Sequence, residues 1–373
     1  MTPRTRLTDV ADQAAVSTAT VSRVLNGRPG VAEATRREVL AALDVLGYER
    51  PSSLRQRSAG LVGLIVPELS NPIFPAFAQQ IETLLSSSDL TPLLCTQSPG
   101  GTTEDDYVEM LLEHGVDGIV FVSGLHADTS ADPARYHRLV DRRVPFVLVN
   151  GTNPDISAPA FAADDADAMD LAVRHLAAQG HRRIGLAVGP TRFVPVARKI
   201  DGFRAAAARY VDDPDPATVS TLFTVEGGRA AGLELLQAGC TAVVAASDLM
   251  ALGVVRAVRA AGLRVPEDVS VVGYDDSPLM GFSDPPLTTI RQPVPAMCQA
   301  AVSTLVAMIR GGSPSAAELT FVPELVVRRS TGAAPPESPA AATASPSPAY
   351  PSPAPGAEAP PAPPTNPAQD EDG

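Results

Sequence analysis

Tryptophan is absent from the 373 residues, lysine occurs once, at position 199, and there are only three cysteines and five histidines. Cys95, Cys240 and Cys298 are isolated, odd in number and flanked by apolar residues, so reduced core thiols are expected and a disulfide or zinc framework is not. No run reaches the roughly 20 apolar residues of a membrane span, and the opening MTPRTRLTDV lacks the apolar stretch of a secretory leader. The expectation is a soluble, cytoplasmic protein with no membrane partner. The glycine loops that cradle phosphates (GxGxxG, P-loop), the HExxH metal helix and any Ser/His/Asp arrangement are also missing. Catalysis is therefore not expected, nor is a metal or a cofactor.

What is present is enough apolar material for two or three folded domains, with 45% hydrophobic residues. The net charge of −13 is unevenly spread: residues 1–60 hold nine arginines against six carboxylates, so this segment is +3 and the remainder −16. Positive charge is concentrated where a nucleic-acid contact would need it. Residues 332–373 are dominated by Pro, Ala and Ser, carry Glu337, Glu358 and Asp370 to Asp372, and contain no basic residue. Such a segment buries too little apolar area to offset chain entropy, so a disordered, partly polyproline-like tail is expected.

The basic segment contains VSTATVSRVLNGRPGV at residues 16–31. LTDVADQA has the apolar spacing of a short helix, a break follows at Ala14 to Val16, and Ser17 is placed to cap a second helix running to Leu25. A third helix is expected from about Glu33 to Leu46, with Val39, Leu40, Leu43 and Leu46 at helical spacing. Two short helices across a tight turn, braced by a third, make a helix-turn-helix. With Val21, Val24 and Leu25 facing the bundle, Thr18, Ala19, Ser22, Arg23 and Asn26 remain outside. That face suits a major groove, since Arg bonds guanine O6 and N7, hydroxyls reach bases or phosphates, and small side chains meet a thymine methyl. A solvated polar face on a structural bundle is the competing reading.

LTDVADQAAVSTATVSRVLNG and VAEATRREVLAALDVLGY resemble the N-terminal headpiece of the LacI/GalR family of bacterial transcription regulators. The resemblance implies a double-stranded DNA operator as partner, with Ser17, Thr18, Ala19, Thr20, Ser22, Arg23 and Asn26 at the DNA and Thr18 and Ala19 reading most of the bases. There are departures. Ala15 stands where the family's turn usually has Gly or Asn, and a left-handed Ala costs roughly 1–2 kcal/mol. Ala32 stands where a Ser often caps the third helix, a loss of about 1 kcal/mol. The family's hinge usually wedges a Leu into the minor groove, but ERPSSLRQRSAG is about three residues shorter than usual. Either Leu54 substitutes, with Arg55 and Arg57 on phosphates, or the segment contacts only the backbone or is a plain linker.

From Leu61 onward, short apolar runs at 61–66, 92–97, 118–123, 145–150, 183–189, 241–247 and 270–274 alternate with helical patterns at 75–85, 103–114, 167–179, 199–210, 227–238 and 248–261. Apolar strands alternating with helices imply parallel sheets covered on both faces, here two lobes with a cleft between them. Asn71, Phe74, Asn150, Ser247, Asp248, Asp275 and Asp276 gather at strand C-ends, where open α/β sheets bind ligands; each alone reads better as a cap or turn residue, and their shared location is what favours a pocket. GLIVPELSNPIF, ASDLMALG, VPEDVSVVGYDDSPL and PPLTTIRQP extend the family resemblance, which implies a periplasmic-binding-protein-like sensor for a small effector, usually a sugar, on a homodimer. It places Asn71, Phe74, Asn150, Ser247 and Asp275 at the effector. Lys199 occupies a position where the family commonly has Arg, so either the adjacent Arg198 is re-aimed or sugar hydroxyls are held differently. Phe74, Phe193 or Tyr274 would stack on a sugar face. LDVLGYERP, FVSGLHADT, RFVPVARKIDGF and DDSPLM are similar to actinobacterial maltose or α-glucan regulators of the family.

The fold class expected is thus an all-α helix-turn-helix headpiece at 1–49, a linker at 50–60, a two-lobed α/β sensor and dimerisation unit at 61–331 and a disordered tail at 332–373. A repressor controlled by a sugar is the functional expectation; a solute-binding protein or an enzyme on the same frame are the alternatives.

Overall fold

A computed structural model of the protein describes residues 6–25, 30–46, 60–97 and 100–336. Asn26, Leu54, Arg55, Arg57, most of the linker and residues 337–373 lie outside the described residues.

Helices α1 (Leu7–Gln13), α2 (Thr18–Leu25) and α3 (Glu33–Val45) close on a small core of Val10, Ala11, Ala14, Val21, Val24, Val39 and Ala42. The turn between α1 and α2 has Ala15 at φ 52°, the left-handed geometry that the sequence pattern requires and that a side chain resists. The Val16 amide closes the turn on the Ala11 carbonyl at 3.0 Å. On α3 the reading needs one correction. Leu40 is 52% exposed, because the inward stripe runs through Val39, Ala42, Leu43 and Leu46 and one residue past Val39 rotates about 100° away from it.

The first lobe is built on strands β1 (Leu61–Val66), β2 (Thr91–Thr96), β3 (Gly118–Val122), β4 (Phe146–Val149) and β5 (Ala160–Ala163), with α4 (Ile73–Ser87), α5 (Glu104–Glu113) and α6 (Ala134–Asp141) between them. After β5 the chain crosses into α7 (Asp165–Ala178) and the second lobe, with β6 (Ile184–Val188), α8 (Val194–Tyr210), β7 (Thr218–Ser220), α9 (Val225–Gln237), β8 (Ala242–Ala245), α10 (Asp248–Ala260), β9 (Ser270–Asp275) and β10 (Thr288–Arg291). It then returns as α11 (Val294–Ile309) and β11 (Glu318–Phe321) to the first lobe and ends in the second with β12 (Glu324–Val326). The sheet orders are β11-β5-β4-β3-β1-β2 and β12-β10-β9-β8-β6-β7, parallel throughout except for β12.

The central strands are buried on both faces, which is why they read as continuous Val/Ile/Leu runs. Five strands escaped the sequence pattern: alanine-rich β5, three-residue β7 and β12, and β10 and β11, which carry Thr and Glu. Helix α11 also escaped it; Met297, Cys298, Ala301, Val302 and Leu305 bury it against the first sheet and α4. All three cysteines are free and buried. Gly202 lets α8 cross α7 closely, since a Cβ there would lie 2.7 Å from the Cα of Ala166. Backbone bonding continues past the expected tail boundary, with Gly332 donating to Ser270 Oγ at 3.0 Å and Ala334 to the Gln179 carbonyl at 2.9 Å. No helix among the described residues is long and apolar enough to cross a membrane.

Replacing Ala15 with Gly relieves the left-handed strain while adding unfolded-chain entropy, so a net gain of about 0.5–1 kcal/mol in headpiece stability is expected. Slower amide exchange of the α1 and α2 core in Ala15→Gly is the measurement; unchanged or faster exchange contradicts the strain argument.

Candidate functional site

Two surfaces carry the polar chemistry. On the headpiece, Ser17 Oγ accepts the Thr20 amide at 3.1 Å and bonds the Thr20 hydroxyl at 2.9 Å, capping α2. That cap turns Thr18, Ala19 and Arg23 outward, exposed, with Thr20 and Ser22 half-buried beside them. The hydroxyls of Thr18 and Ser22, the Ala19 methyl and the Arg23 guanidinium therefore share one face of a short helix, a donor and acceptor array suited to a major groove.

Between the lobes lies a cavity of about 230 Å³. It forms at the carboxyl ends of β1, β3, β4, β5, β6, β8 and β9, so nearly every lining residue follows a strand whose own backbone is consumed in its sheet. Asn71, Phe74 and Asn150 enter from the first lobe, and Phe193, Lys199, Ser247, Tyr274 and Asp275 from the second, which brings together eight of the ten residues expected at the effector. Ser247 is also the helix cap it was weighed against, accepting the Met250 amide at 3.2 Å. Glu68, Ser123, Asp165, Phe223 and Gln292 complete the polar and aromatic lining and were not singled out in the sequence. Asp165 was missed because β5 is too alanine-rich to read as a strand, so its carboxyl end went unrecognised. Gln292 stands in the quoted PPLTTIRQP, where the end of β10 was likewise not read.

The second-lobe wall is an electrostatic unit. Lys199, 6% exposed, is ion-paired with buried Asp165, and its Nζ lies 4.0 Å from the centre of the Tyr274 ring. The Tyr274 hydroxyl donates to Asp165 at 3.2 Å. Burial, reinforced by Asp165 and Asp275, holds that hydroxyl well above its ordinary pKa, so it stays protonated and can donate. Asp275 accepts Gln292 Nε2 at 2.7 Å, and burial followed by the charge of Asp248 pushes its carboxyl pKa well up. The backbone is left-handed at Ser123 (φ 49°), Asn150 (φ 68°), Asp275 (φ 118°) and Asp276 (φ 55°), so strain collects where these strands turn into the cavity. Asn150 Nδ2 donates to Ser123 Oγ at 2.8 Å across that turn.

Two expectations are corrected. Arg198 does not reach the cavity: its guanidinium forms a bidentate pair with Glu318 at 2.8 and 2.6 Å. Asp248 also lies behind the lining, accepting Thr289 Oγ1 at 2.6 Å and the Ser277 amide at 2.7 Å. One residue along α8 or α10 points a side chain about 100° away, and the partners of both residues, Glu318 for Arg198 and Ser277 and Thr289 for Asp248, were too distant in sequence to be anticipated. No His, Cys, Asp or Glu cluster among the described residues could hold a metal ion.

Residues 6–51 match the family described as bacterial regulatory proteins, lacI family, and residues 173–331 match the periplasmic binding protein-like domain. The chain is 60% identical over 342 residues to the HTH-type transcriptional regulator MalR of Streptomyces coelicolor, covering 89% of this chain and 98% of that one. Among solved structures it is similar to the transcriptional regulator CelR in complex with cellobiose (32% identity, TM-score 0.64, 88% of this chain and 100% of that one). It is also similar to the lac repressor dimer bound to operator and the anti-inducer ONPF (27% identity, TM-score 0.64, 89% and 100%).

Burial raises the Asp248 carboxyl from 3.8 to about 6, against the hydrogen bonds from Thr289 and Ser277 that lower it. An acid with a raised folded-state pKa binds more protons when folded, so its contribution to stability falls as pH rises from 3.8 to about 6 and is constant above. Relative to Asp248→Asn, the native chain should therefore lose on the order of 3 kcal/mol across that window. Urea unfolding of both chains at stepped pH measures it, and a flat difference contradicts it.

Proposed function

The chain belongs to the lacI family of bacterial regulatory proteins, and on that premise we propose that it is a sugar-released repressor that binds a palindromic operator as a homodimer. It is a DNA-binding transcription regulator, as its relatives are. The observation that carries the reading is the presence, in one chain, of an exposed α2 reading face and an interlobe cavity with aromatic walls and a polar floor. Residues 1–49 act as the headpiece, 50–60 as the hinge or linker between headpiece and sensor, 61–331 as sensor and dimerisation unit, and the remainder as tail. The chain works in the cytoplasm and turns over no substrate.

Ser17, Thr18, Ala19, Thr20, Ser22, Arg23 and Asn26 face the operator, with Leu54, Arg55 and Arg57 following along the duplex. In the cleft, Phe74, Phe193, Phe223 and Tyr274 offer ring faces to the apolar faces of a sugar, while Asn71, Asn150, Ser247, Asp275 and Gln292 offer hydroxyl partners. Lys199 with Asp165 supplies one donor and one acceptor as a fixed pair, where a guanidinium would supply a fork. Maltose or a related α-glucan is the effector we favour. Its binding shifts the lobes and the dimer partner, and with them the population of the operator-binding form. The dimer surface follows α4 and the turn Pro278–Gly281, where Leu279 is 64% and Phe282 88% exposed.

Anisotropy of the protein's own promoter DNA across a salt series, with and without maltose and maltotriose, tests the cycle. Release by either sugar is expected; tight binding indifferent to both removes the glucan assignment. Arg23→Ala should weaken operator binding by about 1–3 kcal/mol, and Lys199→Met combined with Asp165→Asn, which leaves neither charge stranded, should keep operator affinity while losing the sugar response. In sedimentation experiments Phe282→Glu should shift the dimer toward monomer at micromolar concentration, and an unchanged dimer would move the interface elsewhere.

A further inference from the structure

The lobes touch at a place far in sequence from the three chain crossings. Asp128, in the loop after β3, receives Arg192 Nε on Oδ2 at 2.7 Å, while its Oδ1 takes the Ser130 amide and hydroxyl at 2.8 and 2.6 Å. Next to it, Thr129 donates both its amide and its hydroxyl to the Arg192 carbonyl at 2.9 Å, and Asp128 forms an isolated antiparallel bridge with Phe193. The Arg192 guanidinium lies 4.8 Å over the Phe193 ring, which is a wall of the cavity.

The loop is itself anchored inside the first lobe. Buried Glu104 accepts the Leu125 amide at 3.1 Å and the hydroxyl of Tyr136, and His126 bonds the Val149 carbonyl at 3.1 Å. The Asn153 amide donates to the His126 carbonyl at 2.7 Å. A rigid first-lobe loop thus grips the residue preceding a second-lobe aromatic wall. A second ion pair between the lobes among the described residues, Arg198 with Glu318, sits on β11, a strand that leads directly into a crossing and so adds less that is independent.

We infer that Asp128, Thr129 and Arg192 form a clasp that holds the cleft closed before any effector arrives and fixes Phe193 in place, making Asp128 and Arg192 positioning residues for the effector site. The effector then meets a preformed wall, and its affinity includes the population of the clasped form. This rests on the effector reading of the cleft, but the clasp has a readout that needs no ligand.

That readout is exchange of the Thr129 amide, which is bonded across the lobes, in the full chain without sugar. The Asn153 amide, bonded within the first lobe, is the internal reference. Asp128→Asn and Arg192→Gln should each speed Thr129 exchange roughly 3- to 10-fold, as expected for a partly exposed ion pair reinforced by backbone bonds, and leave Asn153 unchanged. The double variant should add little to either single change, because both remove the same contact. Maltose affinity, by calorimetry, should fall by a similar factor. Free exchange at Thr129 in the native chain, or no change in Arg192→Gln, overturns the clasp. If maltose fails to bind the native chain while Thr129 responds as expected, the effector assignment falls and the clasp stands.

Discussion

A parallel strand buried on both faces can carry polar chemistry only at its ends, and this constraint shapes the whole sensor. Its sides are committed to Val, Ile and Leu, its amides and carbonyls to neighbouring strands, so recognition is left to the few residues beyond each carboxyl terminus. Both sheets obey it, and the three crossings turn their carboxyl ends toward one cavity. Ser123, Asn150 and Ser247 are first or second residues after a strand, Asp275 is the last residue of β9, and Asn71 lies in the loop between β1 and α4. The left-handed backbone at Ser123, Asn150 and Asp275 is the local cost of turning a side chain inward immediately at the end of the strand.

The same constraint explains what was legible. Strands buried on both faces announce themselves as unbroken apolar runs, so β1, β3, β4, β6, β8 and β9 could be read directly, with Asn71, Asn150, Ser247 and Asp275 at their ends, although Glu68 and Ser123 beyond β1 and β3 were not singled out. Strand β5 is mostly alanine, and β7, β10, β11 and β12 are short or carry polar residues at a sheet margin, so their periodicity is too weak to register. Asp165 was invisible for that reason alone. Helix α11 is apolar enough to bury against a sheet, but no turn signal in the sequence says that it returns to the first lobe. Pairings across long sequence distances were the other blind spot: Arg198 with Glu318, and Lys199 with Asp165, are set by tertiary contact rather than by pattern.

The two adjacent cations on α8 show how one rotation divides labour. Arg198 faces a first-lobe carboxylate and becomes structural, whereas Lys199, about 100° around the helix, turns into the cavity. A buried ammonium without a counter-charge would cost several kcal/mol, so Lys199 is tenable only because Asp165 and the Tyr274 face receive it. Removing either charge alone strands the other. The lining therefore behaves as a coupled set, and any change of specificity at Lys199 has to carry Asp165 with it.

Charge is divided between the functions at a larger scale as well. The +3 of residues 1–60 and the −16 of the remainder mean that the sensor repels a polyanion while the headpiece attracts it. Non-specific DNA affinity, which grows with each phosphate neutralised, is held down by the acidic body, so the specific contacts of a short α2 face account for more of the discrimination. A strained Ala15, and an Ala32 with no side chain to cap α3, fit the same economy. On the function proposed above, a headpiece strained in this way would gain order from its operator, and the sensor would need to shift only a small free energy to take that order away.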